Sequence, residues 1–243
     1  MNNQINIQQH YPFLNEKLVM QYWRNSSVSS RQYVYHKKVK SIRQNVGIPI
    51  LLQQLIALGL LLLSLPLLLI VALFIYIENP GKVLFCQTRI GENGRHFKFY
   101  KFRSMRVNGS NQSHKIDAKL SHRDGICKKY INDPRVTVVG KFIRKYSIDE
   151  LPQLLNVIIG DMTLVGPRPA LASESYQYSQ HQFKRLNCKP GMTGLWQISG
   201  RADTSFTQQI SLDLQYIRQQ SFLFDIKILL GTIPAVISAK GAY

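Results

Sequence analysis

LIALGLLLLSLPLLLIVALFIYI, residues Leu55 to Ile77, is the stretch on which the fold turns. It is the centre of a longer run, Gln44 to Ile77, that holds no charged residue between Arg43 and Glu78. As a helix it is long enough to cross a hydrocarbon core of roughly 30 Å. Two features argue against a simple crossing. Pro66 has no backbone donor and crowds the preceding turn, so a bend is expected near Ser64 to Pro66. A sharp bend would leave arms of roughly 16 and 12 residues, about 24 and 18 Å at 1.5 Å per residue, each too short to cross alone. Charge is the second feature. Upstream lie Lys17, Arg24, Arg31, Lys37, Lys38, Lys40 and Arg43, and downstream Lys82, Arg89, Arg95, Lys98, Lys101, Arg103 and Arg106. Flanks rich in Lys and Arg stay cytoplasmic, and here the two are balanced. A re-entrant helical hairpin with both ends in the cytoplasm is therefore favoured over a kinked span.

Outward from this segment the chain divides into a basic cytoplasmic arm, 1–44, the membrane segment, 45–78, and a domain over 79–243. The 243 residues suffice for one such domain plus an anchor. Lys and Arg number 31 against 13 Asp and Glu, a formal +18, which attracts phosphates on lipid, nucleotide or nucleic acid without choosing among them. Cys86, Cys127 and Cys188 are odd in number and far apart, which argues for ordinary reduced thiols rather than a disulfide framework or zinc site. The first forty residues lack the pattern of a cleaved secretory signal.

Asn79-Pro80-Gly81 is a turn signal, and Val83 to Gln87 is β-prone. Gly91 to Gly94 turns the chain into His96 to Phe102, which largely alternates apolar and basic residues, so a small β-hairpin is predicted. Residues 108 to 133 are polar and aperiodic, a loop expected to lie over a site. Helical patterns occupy Lys141 to Arg144, Leu151 to Ile159, Phe206 to Gln220 and Leu223 to Ser238. The last either lies along the bilayer interface or packs in the core, the core being the expectation. The fold class is α+β, mainly helical.

Ser147-Ile148-Asp149-Glu150-Leu151-Pro152-Gln153 carries two adjacent carboxylates in a chain poor in acids. Such a pair can serve as metal ligand and nucleophile. Ser-x-x-Glu is also a capping box, and that reading competes. Pro152, best placed at a first helical position, would set both acids just ahead of the helix, where phosphates bind. In Gly166-Pro167-Arg168-Pro169 the backbone is fixed around one arginine that is able to grip phosphate, or else forms a rigid surface turn. Lys189-Pro190-Gly191-Met192-Thr193-Gly194-Leu195-Trp196-Gln197-Ile198-Ser199-Gly200-Arg201 groups three glycines and two basic residues about an aromatic, as a binding loop does.

Together with Gln87-Thr88-Arg89-Ile90-Gly91, Tyr100-Lys101-Phe102-Arg103-Ser104-Met105 and Asp133-Pro134-Arg135-Val136-Thr137, and in this order, these motifs resemble the bacterial sugar transferase family. Its members are monotopic polyprenyl-phosphate phosphoglycosyl transferases. The likeness runs from about Leu55 to Tyr243. It implies a re-entrant membrane helix, a catalytic domain on the cytoplasmic face of the bacterial inner membrane, and a magnesium-dependent reaction in two steps. By that likeness Asp149 attacks the sugar-bearing phosphorus of a UDP-sugar and releases UMP, Glu150 holds Mg²⁺, and undecaprenyl phosphate collects the phosphosugar. Lys101, Arg103, Arg135, Arg168, Gln197 and Arg201 fall to substrate binding. Members with a similar C-terminal stretch move glucose or galactose 1-phosphate and start exopolysaccharide, capsule or O-antigen assembly; transfer of an acetamido sugar is the alternative within the family. Outside it, the rival is a non-enzymatic, membrane-attached polybasic module. UDP-sugar, undecaprenyl phosphate and membrane lipid are the implied partners, nucleic acid is not, and homo-oligomerisation is left open. The chain departs from the family at Arg43-Gln44-Asn45, where a basic pair and an acid are usual, at Ser64-Leu65-Pro66 in place of Ser-Pro, and at Pro80-Gly81-Lys82 in place of Pro-Gly-Pro.

Overall fold

The computed structural model describes residues 47–106, 133–175, 178–239 and 241. The basic arm 1–44, loop residues 108–132 and Cys127 lie outside them. The leucine-rich segment forms one helix, α1 (Ile50–Glu78), with Pro66 inside it, rather than two separate arms. A proline removes one hydrogen bond of the ladder, and a run of strong helix formers on both sides carries the helix past it. Pro80 ends α1, because the residue before a proline avoids the helical region, and Asn79 is extended at φ −149° and ψ 95°.

Both ends of α1 are fastened to the same body of protein. Near its start, Gln53 Oε1 accepts from the Leu164 amide and Gln54 Nε2 donates to the Ile158 carbonyl. At its end, the Glu78 carboxylate accepts from the amides of Val138 and Val139. Gln53 and Ala57 are buried along the first half, Val71 and Ile75 along the second, each pair four residues apart and hence on one face. The other faces are bare: Leu62, Leu63, Leu69 and Leu73 are all more than half exposed. By length and composition the helix is able to cross a membrane.

Beyond α1 come β1 (Leu84–Ile90) and β2 (His96–Phe102), the expected hairpin, antiparallel from Leu84↔Phe102 to Ile90↔His96. Its turn needs left-handed backbone at Asn93 (φ 53°) and Gly94 (φ 78°), the residue types that adopt it most readily. Phe97, Phe99 and Phe102 of β2 are buried, whereas Lys98 faces out. Next follow α2 (Val138–Lys145), capped by Thr137 Oγ1 on the Gly140 amide, a 3-10 turn (Ile148–Gln153) and α3 (Leu154–Ile158). β3 (Thr163–Val165) precedes β4 (Ala170–Leu171), which pairs antiparallel with β1 and completes a sheet of order β2-β1-β4. Two short helices, α4 (Ala172–Ser175) and α5 (Gln180–Phe183), lead to β5 (Gly191–Thr193), parallel to β3. A β-carbon at Gly191 would lie 2.0 Å from the Gly166 nitrogen, so only glycine permits this approach. α6 (Leu195–Ile198), α7 (Phe206–Gln219) and α8 (Phe222–Ser238) finish the chain.

The main core joins Phe97 and Phe99 of β2, Leu154 and Val157 of α3, Leu164 and Val165 of β3 and Ile210, Leu214 and Ile217 of α7. α8 departs from the core expectation. Asp225 and Ile228 are its buried residues, whereas Leu223, Leu230, Ile233 and Ile237 are exposed, a second bare apolar face beside that of α1. Asp225, fully buried, accepts from the Ile48 amide at 2.9 Å and from the Tyr216 hydroxyl at 2.9 Å, tying α8 to the entry of α1.

The outer edge of β2 is closed by a side chain. Asn156, fully buried on α3, accepts from the Tyr100 amide and donates to the Lys98 carbonyl. Asn156→Leu orphans both groups, at roughly 1–3 kcal/mol each, and is expected to destabilise the protein by about 2–4 kcal/mol, read as a lowered Tm.

Candidate active site

Where α2 gives way to the 3-10 turn, Ser147 takes a left-handed conformation (φ 55°) and its side chain caps nothing. The capping-box reading of this segment is therefore not realised, and Glu150 turns to Arg168 instead, with Nη1 to Oε1 at 2.9 Å. The helix proper starts at Leu154, so both acids and Pro152 sit in the preceding turn.

Asp149 is 7% exposed. Burial first, and the adjacent Glu150 charge second, push its carboxyl up to about 6, against the opposing pull of Lys101, Arg144 and Arg168. Lys101, brought in by β2, is held below the ordinary lysine range by burial, while Asp149 acts to restore its charge; its ammonium also lies 5.4 Å from the Phe85 ring centre. Arg168 is raised above the usual arginine value, chiefly by Glu150. The site is thus a buried Asp149 beside a half-buried Glu150, with three cations acting on the pair, a place where an anionic phosphate gains and a lone carboxylate is penalised.

The segment bearing Arg168 is pinned carbonyl by carbonyl. Pro167 O accepts from the Gly191 amide, Arg168 O from Arg185 Nη2 and Pro169 O from Arg89 Nη1. Arg185 is itself locked in a buried ion pair with Asp213 at 2.5 Å and donates to the Tyr178 hydroxyl.

Beside the carboxylates opens a cavity of about 480 Å³ walled by α1, the 3-10 turn and α8. Glu150, Gln197 and Arg201 stand in its otherwise largely apolar lining. Burial lowers Arg201, and Glu150 opposes that.

A family model described as bacterial sugar transferase matches residues 47–239, most of the chain. The chain belongs to the bacterial sugar transferase family. It is 49% identical over 177 residues to a galactosyl transferase, CpsE, of Streptococcus agalactiae, covering 71% of this chain and 39% of that protein. Identity is 42% over 186 residues with the exopolysaccharide production protein ExoY of Rhizobium meliloti, 75% of this chain and 82% of the other. It is 40% over 192 residues with the UDP-glucose:undecaprenyl-phosphate glucose-1-phosphate transferase of Escherichia coli, 76% and 39%. The sugar transferase described here thus spans well under half of the streptococcal and Escherichia proteins and most of the rhizobial one.

Of the residues singled out from sequence, this transferase gathers Lys101, Asp149, Glu150 and Arg168 around one point, with Gln197 and Arg201 in the adjoining cavity. Two have further partners of their own. Arg103 donates to the Asn79 carbonyl and secures the exit of α1. Arg135 grips Asp133 with Nε at 2.9 Å and Nη2 at 2.6 Å. Sequence reading missed Arg144, which sits five residues before Asp149 and acts on it, and the Arg185–Asp213 pair, whose 28-residue separation carries no local signal. Of the thiols, Cys86 and Cys188 are free, and burial pushes Cys188 up to about 12.

Among the described residues no group of three or more His, Cys, Asp or Glu stands ready to hold a metal. The carboxylate pair suits magnesium nonetheless, since that ion is usually held by one or two carboxylates, substrate phosphates and water.

Because the folded pKa of Asp149 lies above its unfolded value, ionising it costs stability progressively as pH rises from about 4 through 6. Asp149→Asn is therefore expected to show a higher Tm than the wild type at pH 7.5, the gap closing towards pH 4, as followed by thermal melts across that range.

Proposed function

We propose that this protein transfers a hexose 1-phosphate, glucose or galactose, from a UDP-sugar to undecaprenyl phosphate, releasing UMP, as a first step of extracellular polysaccharide assembly. The observation that carries the reading is the buried Asp149, flanked by Glu150 and ringed by Lys101, Arg144 and Arg168, next to a cavity walled by the bare apolar helices. The names of the Escherichia and streptococcal relatives support the donor and acceptor classes.

In the first step an Asp149 oxygen attacks the sugar-bearing phosphorus, the bond from that phosphorus to the bridging oxygen breaks, and UMP leaves with the electron pair. In the second, an oxygen of the lipid phosphate attacks the same phosphorus and restores the Asp149 carboxylate. A carboxyl that titrates near 6 is ionised at neutral pH and keeps more basicity than an ordinary aspartate. Lys101, Arg144 and Arg168 orient the donor's phosphates and offset their charge, the main demand of phosphoryl transfer. Magnesium held through Glu150 supplies further neutralisation when bound.

Asp149→Asn is expected to lower UMP release from UDP-glucose or UDP-galactose by roughly a thousand-fold or more, as removal of a nucleophile does. Unchanged release by a folded variant removes Asp149 from the reaction.

The same reading places α1 as a re-entrant element on the cytoplasmic side of the bacterial inner membrane. Its support is that both ends are bound to one domain, through Gln53 and Gln54 at the start and Glu78 at the finish. Cysteines introduced at positions 30 and 95 are expected to react with an impermeant maleimide from the same side of the membrane. Labelling from opposite sides would establish a span.

A further inference from the structure

The cavity between α1 and α8 has two unlike ends. Its wall is apolar, with Leu60 and Leu63 of α1 and Leu229 and Ile233 of α8, and it joins the lipid-facing surfaces of both helices. Its polar end holds two buried atoms without a partner, Arg201 Nη1, a donor, and Gln197 Oε1, an acceptor. Gln197 is fixed in that sense, because its Nε2 donates to the Met192 carbonyl at 3.1 Å. Arg201 is held in left-handed backbone (φ 51°) directly after Gly200 (φ 131°), a strained conformation for a non-glycine residue. Buried donors and acceptors are rarely left unmatched, so an orphaned pair at the end of a cavity points to a ligand that supplies both partners. Asp149, Lys101, Arg144 and Arg168 do not line this space, which makes it distinct from the cationic ring.

We infer that this cavity seats the lipid acceptor, its hydrocarbon chain lying between α1 and α8 and its terminal phosphate monoester docked on Arg201 and Gln197. The inference rests on the function proposed above for the acceptor's chemical class. A phosphate monoester, whose second pKa is roughly 6, offers at neutral pH both charged oxygens for Arg201 and, in part of the population, a P–OH for the Gln197 oxygen. The inner phosphates of a nucleotide sugar offer no such hydroxyl. The volume of about 480 Å³ falls within the roughly 300–1,000 Å³ of ordinary ligand sites, enough for the first part of a chain whose remainder stays in the bilayer. Glu150 lines the same cavity and is the sequence neighbour of Asp149, so a phosphate docked there lies beside the carboxylate that carries the phosphosugar.

The test uses the full chain in nanodiscs and two readouts, the pre-steady-state burst of UMP without lipid acceptor and steady-state turnover against undecaprenyl phosphate. Arg201→Gln, and independently Ile233→Trp, which fills the apolar wall, are expected to raise the KM for undecaprenyl phosphate by roughly tenfold or more, the worth of one charge-assisted hydrogen bond. In Ile233→Trp, which leaves every polar group of the site in place, the UMP burst should keep its amplitude within about twofold. A diazirine-bearing prenyl phosphate should crosslink to α1 and α8, with protection by undecaprenyl phosphate but not by inorganic phosphate or by undecaprenol. An unchanged KM in both variants, a lost burst with unchanged KM, protection by inorganic phosphate alone, or crosslinks mapping elsewhere would overturn the inference. Absence of a burst in the wild type, with crosslinking to α1 and α8 intact, would instead count against the proposed chemistry and leave the lipid seat standing.

Discussion

The long apolar helix is tied to the domain by polar side chains at both ends, and everything else in the molecule is arranged about that tether. Gln53 and Gln54 at its start and Glu78 at its finish satisfy backbone groups of β3, α3 and α2. Between these clamps a face of Ala57, Val71 and Ile75 packs inward while leucines cover the remainder. In water so many bare leucines would be untenable, since each withheld burial forgoes roughly 1.5–3 kcal/mol. Against lipid the same surface is at rest. On the proposed function, the tether fixes which side of the domain meets the hydrocarbon, and with it where the lipid acceptor and the nucleotide sugar approach.

The chemistry is built on an opposite economy. A chain with 31 basic and 13 acidic residues concentrates two of its few acids at one buried turn. Their repulsion is contained by Lys101, Arg144 and Arg168, and the last is held by a loop whose successive carbonyls are each capped. The buried Arg185–Asp213 pair is best understood as a brace for that loop: its two charges compensate one another, and Arg185 Nη2, which donates to Asp213, also reaches the Arg168 carbonyl. Rigidity there keeps a guanidinium poised in a place where solvent does not relax to stabilise charge.

Much of this was legible beforehand because its signals are local. Alternation in His96 to Phe102, the Asn-Gly turn, the uncharged run ended by Asn79-Pro80 and the paired acids before Pro152 each declare themselves within a few residues. What escaped reading depends on distance. Strands of two or three residues, such as β3, β4 and β5, carry too little periodicity to register and exist through pairing partners far along the chain. Nor does sequence show that Arg103 Nη2 donates to the Asn79 carbonyl or that Arg135 grips Asp133. α8 looked like a core helix from its apolar content. Composition does not say how an apolar helix divides between core and surface: Ile228 joins the core, whereas half of the large apolar side chains are exposed.

The contact between the Ile48 amide and the fully buried Asp225 spans 177 positions of sequence. A ribosome adding roughly 5–20 residues per second needs on the order of 10–30 s to travel that far, so α1 is complete well before Asp225 exists to hold it. During that interval its amino-terminal clamp is incomplete. That contact therefore closes late, when α8 arrives to join a helix made long before it.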